Sequence, residues 1–226
     1  MGTLIAEDLL LLLLDDEKGH VVGTSHLQTV LGGAVLIELA MTGAVTVEEK
    51  SSTWRSARIH VTPDAAPDDD VLRRALAQIS EKDRSAQDLV NRLGKGLKDE
   101  LADRLERRGI LERRQDKVLG LFPRTRWPAV DSSHETAVRR ALTATLVQGV
   151  TPEPRTAALV SLLSAIDRAH KVVDRDGLPA GQVRKRAKEI AKGEWAANAV
   201  KDAIAASTAA ITAAVVASTA ATTSGS

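Results

Sequence analysis

Three cationic side chains recur every three residues near the middle of the sequence. They are Arg92, Lys95 and Lys98, and Gly94 and Gly96 lie between them. On one helix, side chains three residues apart would point in the same direction. The glycines would let an anion approach the backbone, and a helix that begins after them would offer free N–H groups to a phosphate. The stretch therefore predicts an anion-binding site, the alternative being an ordinary solvated charged face.

An apolar run from Val118 to Phe122 follows this basic stretch. It contains Leu119, Leu121 and the single Phe of the chain. Its flanks carry five cations, which are Arg113, Arg114, Lys117, Arg124 and Arg126. A short hairpin with an apolar tip and a basic collar is what an interfacial membrane anchor needs. The same run could be an ordinary core hairpin, and an apolar tip can also join two copies of the chain.

The residue types that most often carry catalysis or bind metals form no recognisable motif. The chain has no Cys, which excludes disulfides, thiolate metal sites and a Cys nucleophile. Its five His residues show no metal-ligand spacing. Neither a P-loop nor a G-x-S-x-G motif occurs. We therefore expect a protein that is not an enzyme and needs neither a cofactor nor a metal.

The composition favours a helical fold. Hydrophobic residues make up 43% of the 226 residues and charged residues 27%, as in soluble globular proteins. Aromatic residues are only 2%, so the core must be built from aliphatic side chains, which favours helices packed on helices. The net charge of +1 argues against a protein that coats nucleic acid, although it allows a local basic patch.

These patterns predict a mostly α, single compact helical domain with one or two short β-hairpins. The domain should span residues 1–221, with a frayed tail at 222–226. Helices are expected at Leu4–Leu14, His26–Thr42, Asp70–Ser80, from Ser85, and at Leu97–Arg108, His134–Val147, Pro154–Val173, Gln182–Lys192 and Glu194–Ala221. Strands are expected at 44–47 and 57–61, and a second hairpin at 110–114 and 117–122, followed by a loop at 123–128.

Several local features refine this prediction. Thr3 and Ser25 are expected N-caps of the first two long helices. The pair Gly32-Gly33 inside the second helix costs helix stability and indicates the close approach of another backbone or a ligand. The run Leu9–Leu14 is too short to cross a bilayer. The segment Ala203–Ala221 is too rich in Ala, Ser and Thr to insert well, which favours a buried helix.

Two further interpretations concern basic segments of the sequence. A helix followed by a hairpin between Leu97 and Phe122 could be a winged-helix-like nucleic-acid-binding unit. The net charge of +1 and the apolar hairpin tip argue against it, so no nucleic acid is expected as a partner. The cluster Arg184–Lys188 is either a charged helix face or a polybasic membrane contact.

Six sequence stretches, in order along the chain, resemble one known family. They are LIAEDLLLLLLDDEKG from Leu4, GGAVLIELAMTG from Gly32, TPDAAPDDDVLRRAL from Thr62, LADRLERRGIL from Leu101, the VLGLF run from Val118, and RTAALVSLLSAIDRAH followed by RKRAKEI. Each motif is loose, but together they are specific. The chain resembles the Golgi phosphoprotein 3 family, and in particular its bacterial members.

The resemblance implies a cytoplasmic protein, peripheral to the cytosolic face of the membrane. It would bind phosphatidylinositol 4-phosphate or a related anionic phospholipid headgroup, with the run Val118–Phe122 as membrane anchor. The coat-protein adaptor role of eukaryotic members is not expected in a chain that begins at Met1-Gly2-Thr3.

The resemblance also assigns positions to the headgroup pocket. In eukaryotic members a Trp, an Arg and two Arg residues three apart line it. The Arg pair falls on Lys95 and Lys98, next to Arg92. The single Arg falls on Gly32 and the Trp near Gly23 or Thr24, so His26 is the nearest replacement. Lys keeps the positive charge of Arg but loses its bidentate phosphate geometry.

Overall fold

A helix without a polar face lies at the centre of the fold. The computed structural model describes residues 2–15, 18–22, 25–48, 58–118, 122–192, 202–209 and 211–212. The first helix, α1 (Ile5–Leu13), is buried along its whole length, including Glu7 and Asp8. A helix that is apolar on all sides belongs in a core. Its N-cap is Leu4 rather than the predicted Thr3, and the Leu4 N–H donates to Glu7 Oε2 over 2.7 Å.

The other helices of the described chain are α2 (Leu27–Met41), α3 (Asp70–Ser80), α4 (Ala86–Leu93), α5 (Leu97–Arg107), α6 (Ser133–Leu146), α7 (Pro154–Ala165) and α8 (Ala180–Ile190). Helices α2, α5, α6 and α7 pack against α1, while α3 and α4 pack on α2, and α8 packs on α7. Residues 202–209 and 211–212 are also helical. The prediction of a mostly α fold is confirmed.

Two small antiparallel sheets complete the described fold. Strands β1 (Val45–Glu48) and β2 (Arg58–Val61) pair as predicted. Strands β3 (Arg114–Val118) and β4 (Phe122–Arg126) form the second hairpin, with Val118 opposite Phe122.

The predicted strand positions of this second hairpin were wrong. Ile110 and Leu111 were placed on its first strand, but they are buried in the core, and residues 123–126 form a strand instead of a loop. Because Ile110, Leu111 and Trp127 fix the base of the hairpin in the core, the strands begin later, and Val118 and Phe122 form their last described pair. Leu119, Gly120 and Leu121 lie outside the described residues.

The glycine pair of α2 is explained by close helix packing. A Cβ added at Gly32 would lie 1.9 Å from the Val90 carbonyl oxygen of α4. One added at Gly94 would lie 1.8 Å from the Gln28 carbonyl oxygen of α2. Only glycine fits at either position, so the backbones of α2 and α4 touch there. The predicted close approach at Gly32 is confirmed.

The C-terminal part of the fold differs from the prediction at α7. The helix ends at Ala165 instead of Val173, because Asp167 adopts a left-handed conformation (φ 53°) and the Arg168 N–H turns back to the Leu163 carbonyl over 2.8 Å. Within the predicted helix 194–221, the described residues Ile204 and Ile211 are fully buried, in line with a core helix. Across the described ranges, we find no helix with the length and apolarity needed to cross a membrane.

Candidate functional site

The candidate site is built around the turn that joins α4 to α5. The Ser85 hydroxyl caps α4 by accepting from the Asp88 N–H at 3.3 Å. Gly94 ends α4 against the backbone of α2, and Gly96 starts α5 in a left-handed conformation with φ 74°. The first glycine is required by packing and the second by backbone conformation. Lys95, between them, is exposed.

The three predicted cations do not share one helix. Arg92 lies in the last turn of α4, Lys95 in the turn and Lys98 in the first turn of α5. The prediction that they line one helix face was wrong, because Gly96 breaks the helix between Lys95 and Lys98. The turn nevertheless keeps all three within one short surface segment.

Carboxylates offset part of this positive charge. Arg92 Nε lies 3.1 Å from Asp88 Oδ2, and Arg84 shares the same carboxylate at 3.2 Å. Lys98 Nζ lies 3.7 Å from Asp99 Oδ1. Lys95 makes no ion pair with any described residue. Two arginines share one aspartate and one lysine has no carboxylate, so the surface retains positive charge.

The N-terminus of α2 lies beside this turn. The Gln28 side-chain amide donates to the Asn91 carbonyl over 2.8 Å, and the Thr29 hydroxyl donates to Asn91 Oδ1 over 2.7 Å. These bonds hold the first turn of α2 against the last turn of α4. His26, rather than the predicted Ser25, is the N-cap, and no side chain caps this end. The structure therefore brings His26 to the same region as Lys95.

The positive ends of two helices consequently meet at this surface. The N-cap residues His26 and Gly96 make no side-chain cap bond to α2 or α5, although the Leu97 N–H at the start of α5 donates to the Gly94 carbonyl over 3.2 Å. Backbone N–H groups at helix N-termini favour anions. The arrangement can bind a phosphate through Lys95, Lys98 and the first turn of α5.

One position that the family resemblance assigns to the headgroup pocket is sterically closed. The resemblance places an Arg at Gly32, but Gly32 is buried in the α2–α4 contact, where even a Cβ would overlap Val90. An Arg there would require the two helices to separate. Gly23 and Thr24, the positions nearest the family Trp, lie outside the described residues.

The base of the second hairpin is fixed to the core near the connection from α1 to α2. The Trp127 ring is buried, and the Arg113 guanidinium lies 4.7 Å from its centroid. The Trp127 N–H donates to the Gly19 carbonyl over 2.9 Å. Near the base, Arg114 and Gln115 are exposed. The base of the hairpin is therefore fixed, and Val118 and Phe122 are its last described pair.

The cluster Arg184–Lys188 is partly structural. Arg184 binds Asp167 at 2.8 and 3.0 Å, and Arg186 donates to the Thr145 carbonyl over 2.5 Å. Only Lys185 and Lys188 are exposed, without a described ion pair. The polybasic membrane contact is therefore weaker than the sequence indicates.

Sequence reasoning missed a buried ionic network around the start of α1. Arg104 binds Glu7 at 3.0 Å and Asp69 at 2.6 Å. Arg155 binds Asp8 at 2.8 Å and Glu38 at 3.1 Å. Because these partners come from distant helices, the network fastens α1 to its neighbours. The available signal was the acidic pair inside an otherwise apolar helix, since buried carboxylates must be paired.

Burial and pairing shift the pKa values of this network in opposite directions. Desolvation raises the pKa of Glu38, outweighing its hydrogen bond from the Ile5 N–H and the charge of Arg155. Desolvation would also raise the pKa of Asp69, but hydrogen bonding and the charge of Arg104 together lower it. Asp69 also caps α3 by accepting from the Val71 N–H at 2.8 Å. These groups serve the fold and not the anion site.

The fold and site define a mostly helical protein with a basic interhelical turn and a hairpin whose base is fixed in the core. The family model described as Golgi phosphoprotein 3 (GPP34) matches residues 5–207. The chain therefore belongs to the Golgi phosphoprotein 3 family. A comparison with curated proteins finds no match.

Proposed function

We propose that the protein is a peripheral membrane protein that binds phosphatidylinositol 4-phosphate or a related anionic phospholipid headgroup. The observation that supports this most is the α4–α5 turn, where exposed Lys95 and half-buried Lys98 lie beside the N-termini of α5 and α2, neither of which has a side-chain cap from its N-cap residue. Family membership supports the same proposal. The proposed role is binding and not catalysis, on the cytosolic face of the membrane.

Each part of the site has a distinct task in this proposal. Lys95 and Lys98 attract the headgroup phosphate, and N–H groups in the first turn of α5 donate to its oxygens in a fixed geometry. Arg92 and His26 border the site from α4 and α2. Because Lys is a point charge and not a planar fork, the site should select for charge more than for the arrangement of phosphates.

The second hairpin, formed by β3 and β4, supplies the apolar contribution to membrane binding in this proposal. The run Val118–Phe122 inserts into the acyl boundary of the membrane, while the basic residues of its strands remain at the headgroup level. Electrostatic attraction is screened by salt, but apolar burial is not. A membrane-bound state that persists at moderate salt thus requires both parts.

Liposome co-sedimentation tests the proposal directly. Wild type should sediment with liposomes containing phosphatidylinositol 4-phosphate and not with neutral liposomes. Lys95→Glu with Lys98→Glu should abolish the preference. Lys82→Glu with Arg140→Glu makes the same charge change at exposed residues that form no described ion pair, and should leave binding nearly intact. Absence of any preference for acidic liposomes at low salt would refute lipid binding.

The nucleic-acid alternative has one supporting feature and one opposing feature. The order α5, β3, β4 matches a helix followed by a wing. However, α5 carries Asp99, Glu100, Asp103 and Glu106, and acids on a recognition helix would repel phosphates. A gel shift on duplex DNA separates the two functions, since phosphate contacts give a steep salt dependence.

A further inference from the structure

A second basic pocket lies at the C-terminal end of α1. It has a volume of about 410 Å³ and is bordered by Leu12–Leu14, by Val22, by Arg139 of α6 and by the segment from Arg168 to Val172. None of Arg92, Lys95, Lys98 or His26 lines it. The pocket is therefore separate from the proposed headgroup site.

One wall of this pocket is held by a half-buried, hydrogen-bonded arginine. Arg139 Nε donates to Glu135 Oε1 over 2.6 Å, and another nitrogen of the same guanidinium donates to the Val172 carbonyl over 2.9 Å. These bonds fix the segment that follows α7 against α6. Because Glu135 balances the charge of Arg139, this arginine contributes to the shape of the pocket and adds little net positive charge.

Three other cations give the pocket its charge. Lys18, Arg168 and Lys171 line it, and no carboxylate of the described chain lies within ion-pairing distance of any of them. Asp15 is the only acid among the lining residues that the structure describes, and its Oδ1 accepts from the Lys18 backbone N–H at 2.6 Å. Three cations against the single Asp15 carboxylate give the described lining a net positive charge, which favours an anionic ligand. A planar Arg guanidinium together with two Lys ammonium groups can bind a phosphate.

The remaining wall is apolar. Leu12, Leu13 and Leu14 form it from inside, and Val172 is buried beside Arg139. Val22 is 43% exposed at the rim, which is unusual among the large apolar side chains of the described chain. An anion that also carries an apolar group would contact both the cations and this rim.

We propose that this pocket binds a phosphate ester, with the apolar wall favouring a phosphate joined to an acyl chain. This site stands whether or not the α4–α5 turn binds lipid. Val22 and His26 are four residues apart, so their Cα atoms lie within about 14 Å. The two sites therefore lie close together in the fold.

Calorimetric titration of soluble probes tests the pocket. The full chain carrying Lys95→Glu and Lys98→Glu is titrated with glycerol 3-phosphate and with dihexanoyl phosphatidic acid below its micelle concentration. Both changes disable the proposed headgroup site, so any binding that remains comes from elsewhere. Adding Arg168→Glu with Lys171→Glu should weaken that binding at least about tenfold, because like charges then face the phosphate.

The matched control adds Lys82→Glu with Arg107→Glu in the same background, at exposed residues that neither line the pocket nor adjoin a lining residue. It should change affinity less than about twofold, because exposed charges away from the pocket are screened. Lys18→Glu alone, at an exposed residue, should weaken binding in the same direction if the double change unfolds the protein. If dihexanoyl phosphatidic acid binds more tightly than glycerol 3-phosphate, the ligand of the pocket is an amphiphile. If the two probes bind equally, the ligand is a soluble phosphate ester. The proposal is overturned if neither probe binds, or if the Arg168/Lys171 and control variants bind alike.

Discussion

At the scale of single residues, Lys95 and Lys98 limit what the proposed headgroup site can distinguish. Their ammonium groups attract a phosphate but do not fix its orientation. Lys95→Arg with Lys98→Arg should therefore raise affinity for phosphatidylinositol 4-phosphate more than for phosphatidylserine. Co-sedimentation with the two liposome types measures the ratio. An equal gain for both lipids would show that these side chains contribute only charge.

His170 is a second residue whose chemistry the structure fixes. It is buried, and its Nε2 lies 3.1 Å from an Arg184 nitrogen, which requires a neutral ring. Burial, followed by the charge of Arg184, lowers the pKa of His170 below 6.5. As pH falls through 6.5, the unfolded chain takes up this proton before the folded one does, so the contribution of His170 to stability is lost below pH 6.5.

Thermal melting above and below pH 6.5 measures this effect. The melting temperature of wild type should fall more on acidification than that of His170→Gln, which has no titrating ring. Gln78→Ala, at an exposed side chain that does not titrate, is the control and should respond like wild type. The raised pKa of Glu38 acts in the opposite direction, because protonation of a buried carboxyl favours the folded state. The comparison between variants removes that contribution, and identical pH responses would contradict the role of His170.

At the scale of elements, the α2–α4 contact depends on glycine. Gly32→Ala should lower the free energy of unfolding by about 1–3 kcal/mol, because its Cβ would overlap the Val90 carbonyl. Gly181→Ala is the matched control, since nothing lies within 4 Å of its Cβ in the first turn of α8. Urea unfolding compares them. If Gly32→Ala is as stable as Gly181→Ala, the two helices do not approach as closely as described.

The hairpin is the element on which stable membrane association depends in our proposal. Leu119→Asp with Leu121→Asp should abolish liposome association and leave soluble headgroup binding intact. The lost contribution is roughly 25 cal/mol per Å² of apolar area inserted into the acyl boundary. Val118→Asp with Phe122→Asp, at the paired strand ends, is the comparison. If circular dichroism and melting show that both pairs unfold the protein, the hairpin is a core element and the anchor proposal fails.

The sequence predicts the elements better than their connections. Helix α3 occupies its predicted residues, because Asp69 caps it and its apolar spacing is regular. The second hairpin was misplaced because alternation within a short run does not reveal which residues the core will hold. Likewise, the three cations were placed on one helix because a spacing of three does not reveal a left-handed Gly96.

At the scale of the whole molecule, charged contacts between distant segments hold the start of α1. Glu7 and Arg104 are 97 residues apart, and Asp8 and Arg155 are 147 apart. Asp8 also binds His134 at 2.7 Å. Local patterns cannot pair residues over such separations, and this explains why the sequence did not predict the network. Because the partners come from α1, α2, α5, α6 and α7, the network is a single feature of the folded chain.

Arg155 is the residue through which this network can be tested. Its guanidinium binds Asp8, Glu38 and the Thr3 carbonyl, and Asp8 is only 1% exposed. Arg155→Ala leaves a buried carboxylate without its arginine. Breaking a fully buried pair costs about 3–5 kcal/mol. Since the Arg155 side chain is 36% exposed, the expected loss is smaller, about 2–3 kcal/mol.

Two comparisons show whether this loss comes from the unpaired charge. Arg114→Ala removes an arginine that is 61% exposed and pairs with Glu112, so it should cost no more than about 0.5 kcal/mol. Asp8→Asn combined with Arg155→Ala should recover part of the stability, because the uncompensated buried charge is then absent. Urea unfolding at neutral pH measures all four proteins. If the double variant is less stable than Arg155→Ala by the full cost of Asp8→Asn alone, the two side chains act independently and the network does not fasten α1 as a unit.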